Sequence, residues 1–119
     1  MEWVGPERRR FVRANFPCKI TLSVPQKHVI ISHTENIGAG GVRVLIPEKL
    51  EVSTMVDLAI YIAEEPIVCK GRIVWMVEIK TPFSQEPHLY DIGIEFYEID
   101  VESQRFIQSF VETSVSQEQ

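Results

Sequence analysis

Residues 67–80, with the sequence IVCKGRIVWMVEIK, are the longest β-type run in the chain. They are rich in β-branched residues and include Trp75, and such residues are enriched in strands. Gly71 near the middle predicts a bulge or a sharp bend, because a glycine inside a strand pattern marks such irregularities. A long strand that bends in this way lets a small sheet curl over itself. The segment therefore predicts a closed sheet.

Five further strands are predicted on either side of this segment. Polar and apolar residues alternate in them, as is typical of a strand with one buried face. The predicted strands are residues 19–24, 28–34, 42–46, 56–62 and 89–96. Turn residues separate them at short intervals, and Gly93 marks a close backbone approach in the last one.

The last element changes to a helical period. Asp100 is a plausible N-cap, and we predict an amphipathic helix over residues 100–114. Its expected buried face consists of Phe106, Ile107, Phe110 and Val111. Six strands and one C-terminal helix predict a mainly β fold, a six-stranded antiparallel β-barrel that the helix plugs or flanks. Closure of the barrel removes the exposed strand edges.

Composition indicates one domain spanning residues 1–119, because 119 residues with 45% hydrophobic side chains can bury one core. We place the barrel at residues 17–96. The net charge of −5 argues against DNA or RNA as a partner, since a diffuse basic surface is missing. No apolar run approaches the roughly 18 residues of a membrane span. Cys18 and Cys69 fit free thiols, so we expect a cytoplasmic protein.

Positive charge is nevertheless concentrated at residues 8–13, RRRFVR. Arg9 and Arg13 are four positions apart, which places them on one side of a helical turn or of an extended segment. Arginine suits a nucleotide because its planar fork binds phosphate oxygens or the O6/N7 edge of guanine. Arg8 and Arg10 add charge but point in other directions. Taken alone, the cluster also fits a solvated chain end.

A second polar segment, residues 35–41 with the sequence ENIGAGG, could reach the same ligand. The Asn36 oxygen can accept hydrogen bonds from the Watson–Crick edge of guanine. The glycines let backbone N–H groups approach a phosphate or a base. We interpret residues 36–41 as a loop, and taken alone it also fits an ordinary turn. It is neither a P-loop nor a Rossmann turn.

Together these residues resemble the PilZ domain family, bacterial receptors for cyclic di-GMP. The family pattern is Gln/Arg-Arg-x-x-x-Arg, followed two to three dozen residues later by Asp/Asn-x-Ser-x-x-Gly. Arg8, Arg9 and Arg13 match the first part, and Asn36 and Gly41 match the second. Gly38 stands where the family usually has serine. The resemblance covers nearly the whole chain, and residues 91–96 look like the family's last strand.

The resemblance implies a non-enzymatic receptor whose ligand is cyclic di-GMP, with no cofactor. It assigns ligand binding to Arg8, Arg9, Arg13, Asn36, Gly38 and Gly41. A flexible N-terminal arm, residues 1–13, would close over the ligand and become ordered. The ligand state would be relayed in trans to an unidentified protein partner in motility, biofilm or secretion control.

The departure at Gly38 keeps an alternative open, a degenerate PilZ adaptor that has lost the nucleotide and acts through protein contacts. The missing serine hydroxyl costs about 0.5–1.5 kcal/mol, or roughly tenfold in affinity at most. A more distant alternative is single-stranded nucleic-acid binding, which the acidic net charge disfavours.

Three further residues are additional candidates for the site. Arg10 adds charge, Arg43 could extend an anion site or face solvent, and Trp75 could stack on guanine or fill the core. The three histidines lack metal-ligand spacing, so we predict no metal site.

Overall fold

The computed structural model describes residues 13–80 and 89–118, which form seven strands and one helix. The strands are β1 (Arg13–Ala14), β2 (Lys19–Ser23), β3 (Val29–Gly38), β4 (Gly41–Ile46), β5 (Met55–Tyr61), β6 (Ile67–Ile79) and β7 (Leu89–Glu98). The helix is α1 (Val101–Glu118).

Strands β2 to β7 form a closed antiparallel barrel. Its hydrogen-bonded order is β3, β2, β5, β6, β7, β4, and the pairing of β4 with β3 closes the ring. The predicted fold class, a six-stranded antiparallel barrel with a C-terminal helix, is therefore confirmed. Strand β1 is additional and pairs with the end of β3.

The core of the barrel follows the alternation in the sequence. Ile20 and Leu22 of β2 are fully buried, while the residues between and beside them are partly or wholly exposed. Burying each such side chain stabilises the fold by about 1.5–3 kcal/mol. The largest fully buried side chains are Ile20, Leu22, Ile37, Ile46, Leu58, Ile60, Ile73, Ile92, Ile107, Val42, Val44 and Val56.

Three register shifts interrupt the strand pairing. One lies where Lys70 and Gly71 of β6 pair with Glu98 and Phe96 of β7, so an irregularity is present at the predicted glycine but the extra residue is Tyr97 of β7. A Cβ on Gly71 would lie 2.6 Å from Ile94 Cγ2 and 2.8 Å from Leu58 Cδ1, so this position needs a residue without a side chain. The other two shifts, between Thr34 and Asn36 in β3 and after Ile73 in β6, were not predicted.

Thr34 holds in place the short segment, residues 15–18, that joins β1 to β2. The Thr34 side chain is buried, and its hydroxyl donates to the Phe16 carbonyl at 2.9 Å and accepts from the Cys18 N–H at 2.9 Å. Before this segment β1 lies along β3, with Arg13 opposite Gly38. Arg13 is thus a strand residue, and residues 1–12 of the predicted arm lie outside the described part.

The helix packs against β1 and β3. Ile107 and Val111 are fully buried, and Phe110 contacts Phe16 edge to face with ring centroids 5.1 Å apart. Asp100 is the N-cap, as predicted, because its Oδ1 accepts the Ser103 N–H at 2.7 Å. Phe106 was wrongly assigned to the buried face, since 45% of its surface is exposed.

The sequence predicted that both cysteines are free thiols and that the chain contains no membrane span. Cys18 and Cys69 are both buried and unpaired. Among residues 13–80 and 89–118, no helix has the length and apolar character needed to cross a membrane.

Candidate ligand-binding site

A cavity of about 250 Å³ opens on the outer face of the barrel, where β3, β4, β6 and β7 meet. Its walls come from the start of β1, the β3–β4 hairpin, the middle of β6 and the middle of β7. The lining residues are Arg13, Asn36, Gly40, Gly41, Val42, Arg43, Val74, Trp75, Gly93, Ile94 and Glu95.

Arg13 and Asn36 are joined at one wall of this cavity. The Arg13 guanidinium donates to Asn36 Oδ1 from Nε at 2.9 Å and from Nη2 at 2.6 Å. Desolvation lowers the pKa of Arg13 from its ordinary value, but an arginine remains cationic at neutral pH. The two parts of the sequence pattern, 23 positions apart, thus meet in one hydrogen-bonded pair.

The bulge in β3 aims Asn36 at the cavity. The register passes from Thr34 opposite Val44 to Asn36 opposite Arg43, so Glu35 is the extra residue. Thr34 and Ile37 stay buried while Asn36 turns outward. Asn36 is consequently a strand residue and not the loop residue that we expected, since the turn consists of Ala39 and Gly40 alone.

The chemistry that Asn36 can offer differs from the prediction. Its Oδ1 already accepts two hydrogen bonds from Arg13. An amide oxygen has two lone pairs, so the group left for a ligand is the Nδ2 amide, which is a donor of two hydrogen bonds. A phosphate oxygen or the O6 and N7 atoms of guanine would be the matching acceptors.

A second arginine, Arg43 of β4, lies opposite Gly93 and lines the cavity. It forms a bidentate ion pair with Asp91, Nε to Oδ1 at 2.8 Å and Nη2 to Oδ2 at 2.9 Å. The hydrogen bonds to Asp91 raise the pKa of Arg43. The Arg43 side chain faces outward, as predicted, but the ion pair with Asp91 holds it in a fixed direction.

Trp75 forms the opposite wall. A register shift after Ile73 makes Val74 the extra residue of β6, so Val74 and Trp75 are both exposed and both line the cavity. The indole lies against Gly93, where an added Cβ would run into the ring. Trp75 is thus a surface residue and not a core one, with 40% of its surface exposed.

The glycines of the hairpin supply bare backbone at the cavity. Gly40 and Gly41 both line it, and an added Cβ at Gly41 would collide with the backbone of Ile94 and Glu95. The hairpin is held from the helix as well, because Gln104 Nε2 donates to the Ala39 carbonyl at 2.9 Å. Gly38 is buried, pairs with Arg13 and Gly41, and is not among the lining residues.

Glu95 is a lining residue that the sequence analysis missed. Its carboxylate forms an ion pair with Arg72 of the neighbouring strand β6. Alternation along β7, in which Ile92 and Ile94 are buried, could have indicated that Glu95 faces outward. No pattern within a single strand could have indicated that Glu95 lines the same cavity as Arg13.

Three predicted site residues, Arg8, Arg9 and Arg10, lie outside the described residues. In the ranges 13–80 and 89–118, no group of three or more His, Cys, Asp or Glu residues is arranged to hold a metal ion.

Comparisons with known proteins agree with this fold. The chain is similar to MotI/DgrA, the inhibitor of motility of Bacillus subtilis, with 19% identity and a TM-score of 0.77 over 94% of this chain and 53% of that chain. It is similar to the PilZ domain of YcgR from Escherichia coli, solved with c-di-GMP, with 12% identity and a TM-score of 0.71 over 92% and 93%.

MrkH of K. pneumonia in its apo state shows 14% identity and a TM-score of 0.76, over 98% of this chain and 54% of that chain. This chain therefore spans about half the length of MotI and of MrkH. A comparison with curated protein sequences found no match. The family model of the PilZ domain matches residues 7–113, and this chain therefore belongs to the PilZ domain family.

Proposed function

We propose that this protein is a cyclic di-GMP receptor that catalyses no reaction and passes the ligand state to a protein partner. The observation that carries the proposal is the Arg13–Asn36 pair, held at the wall of a cavity whose other wall is the exposed ring of Trp75. Membership of the PilZ family supports it, as does the likeness to the YcgR domain that was solved with c-di-GMP.

Arg13 has hydrogen-bond donors to spare for an anionic ligand. A guanidinium carries five N–H groups, and Asn36 takes two of them. The remaining three can bind phosphate oxygens or the O6/N7 edge of guanine. The hydrogen bonds to Asn36 fix the guanidinium before the ligand arrives, which reduces the side-chain entropy lost on binding.

Trp75 offers a stacking surface for a guanine base. Because one part of the indole rests on Gly93, the ring is supported in place, and its exposed part lines the cavity. Stacking of a base on an aromatic ring is worth about 1–3 kcal/mol. The backbone of Gly40 and Gly41 lies at the same cavity, without side chains in the way.

The size of the cavity limits what it can enclose. A volume of about 250 Å³ is just below the range of about 300–1,000 Å³ for ligand pockets. We infer that the cavity holds one guanine with its phosphate and that the rest of the dinucleotide lies on the barrel surface. Arg8 and Arg9, as predicted from the sequence, would bind that remaining part.

Calorimetric titration with cyclic di-GMP tests the proposal. We expect micromolar or tighter binding by the unaltered chain. Arg13→Ala removes charged hydrogen bonds worth about 1.5–3 kcal/mol each, so affinity should fall on the order of a hundredfold or more. The matched control is Lys27→Ala, which removes one positive charge in the β2–β3 turn, at the opposite end of β3 from Asn36. It should bind like the unaltered chain.

A specific observation favours a second candidate function. Gly38 replaces the serine of the family pattern, so the site lacks one hydroxyl, and a degenerate adaptor that acts through protein contacts remains the alternative. Absence of heat at high cyclic di-GMP concentration, in a chain whose circular dichroism shows it folded, would establish the adaptor and overturn the receptor proposal.

A further inference from the structure

A second and larger concavity lies away from the ligand cavity, between the β5–β6 turn and the first turns of α1. Its volume is about 700 Å³, and none of its lining residues belongs to the ligand-binding cavity. The turn contributes residues 63–66, and the helix contributes Ser103 and Phe106. We call this concavity the helix groove. Its function is not explained by the cyclic di-GMP proposal.

The groove has an exposed apolar surface. Val68 of β6 is 67% exposed and Phe106 of α1 is 45% exposed, and both line the groove. Phe106 lies on the groove side of the helix, whereas the next residue, Ile107, is fully buried in the core. Large apolar side chains exposed side by side in a concave surface are typical of a site that another molecule covers.

The rim of the groove is acidic. Glu64, Glu65, Asp100 and Glu102 all line it, and no Lys or Arg of the described ranges does. Asp100 caps the helix through Ser103. The carboxylates of Glu64, Glu65 and Glu102 form no hydrogen bond or ion pair with any residue of the described part of the chain. Their charge is therefore available to a partner.

We propose that the helix groove docks a short cationic segment of a partner protein, one that carries apolar side chains between its Lys or Arg residues. The apolar side chains would cover Val68 and Phe106, and the cations would pair with the three uncommitted glutamates. Charge complementarity decides the class of partner, because a nucleic acid or an anionic membrane would be repelled by the same carboxylates.

The test is an NMR titration of the ¹⁵N-labelled chain with a panel of synthetic peptides. The panel alternates Lys or Arg with Leu or Phe, and each peptide has an acidic counterpart in which Glu replaces every cation. We expect the cationic peptides to shift the amide signals of Val68, Ser103 and Phe106, and added salt to weaken the effect. The acidic counterparts should leave these signals in place.

Charge reversal provides the matched pair of variants. Glu65→Lys should weaken binding of the cationic peptide on the order of tenfold, since it replaces an attraction by a repulsion. Glu51→Lys makes the same charge change at an exposed site that does not line the groove, and it should bind like the unaltered chain. Both positions are exposed, so both variants should fold.

Three outcomes would overturn the proposal. The first is a panel in which no cationic peptide shifts the groove signals. The second is an equal response to the acidic counterparts. The third is a dimer of the chain alone that Glu65→Lys dissociates, which would assign the groove to a second copy of this chain. None of these outcomes depends on cyclic di-GMP, so each is independent of the receptor proposal.

Discussion

Replacement of Thr34 by valine should destabilise the protein far more than its small change in shape suggests. Thr34 is 2% exposed, and its hydroxyl bridges the Cys18 N–H and the Phe16 carbonyl, each at 2.9 Å. Valine has nearly the same shape but can make neither hydrogen bond. The buried Cys18 N–H would lose its side-chain partner, which costs about 1–3 kcal/mol.

The Phe16 carbonyl adds a smaller cost, about 0.5–1.5 kcal/mol, because it is only part-buried and water can replace the lost donor. We therefore expect Thr34→Val to lower the free energy of unfolding by about 1.5–4.5 kcal/mol. The Thr34 bridge also holds the segment that joins β1 to β2, so Arg13 should lose its fixed position beside Asn36. The Thr34→Val variant should therefore also bind cyclic di-GMP more weakly than the unaltered chain does.

Urea unfolding followed by circular dichroism measures the stability change. Thr34→Ser is the control, because it keeps the hydroxyl and loses one buried methyl group, at a cost of about 1 kcal/mol. An unfolding free energy of Thr34→Val within about 0.5 kcal/mol of the unaltered chain, the usual range for surface substitutions, would refute the bridging role. So would a Thr34→Ser variant that is the less stable of the two.

Three more predictions concern single residues. Trp75→Ala should weaken cyclic di-GMP binding by about 5- to 150-fold, the equivalent of 1–3 kcal/mol of stacking, as measured by calorimetry. Gly38→Ser restores the hydroxyl of the family pattern and should tighten binding up to roughly tenfold in the same assay. Burial and the charge of Asp100 raise the pKa of Cys69 to about 12, so its thiol should resist alkylation at pH 8, where the same thiol in urea reacts.

The same pKa predicts how stability depends on pH. The folded chain keeps the Cys69 proton above pH 9.0, the ordinary thiol pKa, whereas the unfolded chain releases it. Stability is therefore lost as pH rises from about 9 toward 12 and is unaffected by Cys69 below that window. In urea unfolding, the Cys69→Ala variant should therefore lose less stability than the unaltered chain as the pH rises from about 9 toward 12.

Each of these predictions has a result that contradicts it. Unchanged affinity of Trp75→Ala would show that the base does not stack on the indole. A Gly38→Ser variant that binds no more tightly would mean that the missing hydroxyl does not limit affinity. Equal alkylation of Cys69 in the folded and unfolded chain would show that burial does not protect it.

The strands of the barrel could be predicted because their cause is local. A residue such as Ile20 or Val44 points inward because side chains alternate across any strand, and the sequence carries that alternation. The irregular pairing at Gly71 was also predictable, since glycine inside a strand is itself the signal, although the extra residue lies on the neighbouring strand β7. Arg13 and Asn36 were named as candidate site residues from their spacing and from the resemblance to the PilZ pattern, and their role in ligand binding stays a prediction.

The elements that were missed have non-local causes. Strand β1 has two residues and exists because β3 and the Thr34 bridge hold it. No particular residue type marks the bulges at Glu35 and Val74 in the sequence. Each bulge arises where a strand must match the register of its neighbours around a closed ring. Phe106 has the spacing of a core residue, and only the direction from which α1 meets the barrel turns it toward the helix groove.

The sequence by itself thus determined the barrel and the closing helix, because alternation and periodicity act over a few neighbouring positions, and it singled out Arg13 and Asn36 as candidates for a ligand site. The tertiary structure decided how those residues face one another. The bulges in the closed ring turn Asn36 and Trp75 outward onto one cavity, and the pairing of β1 with β3 brings Arg13 to Asn36 across 23 positions. Such geometry depends on the pairing of whole strands, so no single stretch of the sequence contains it.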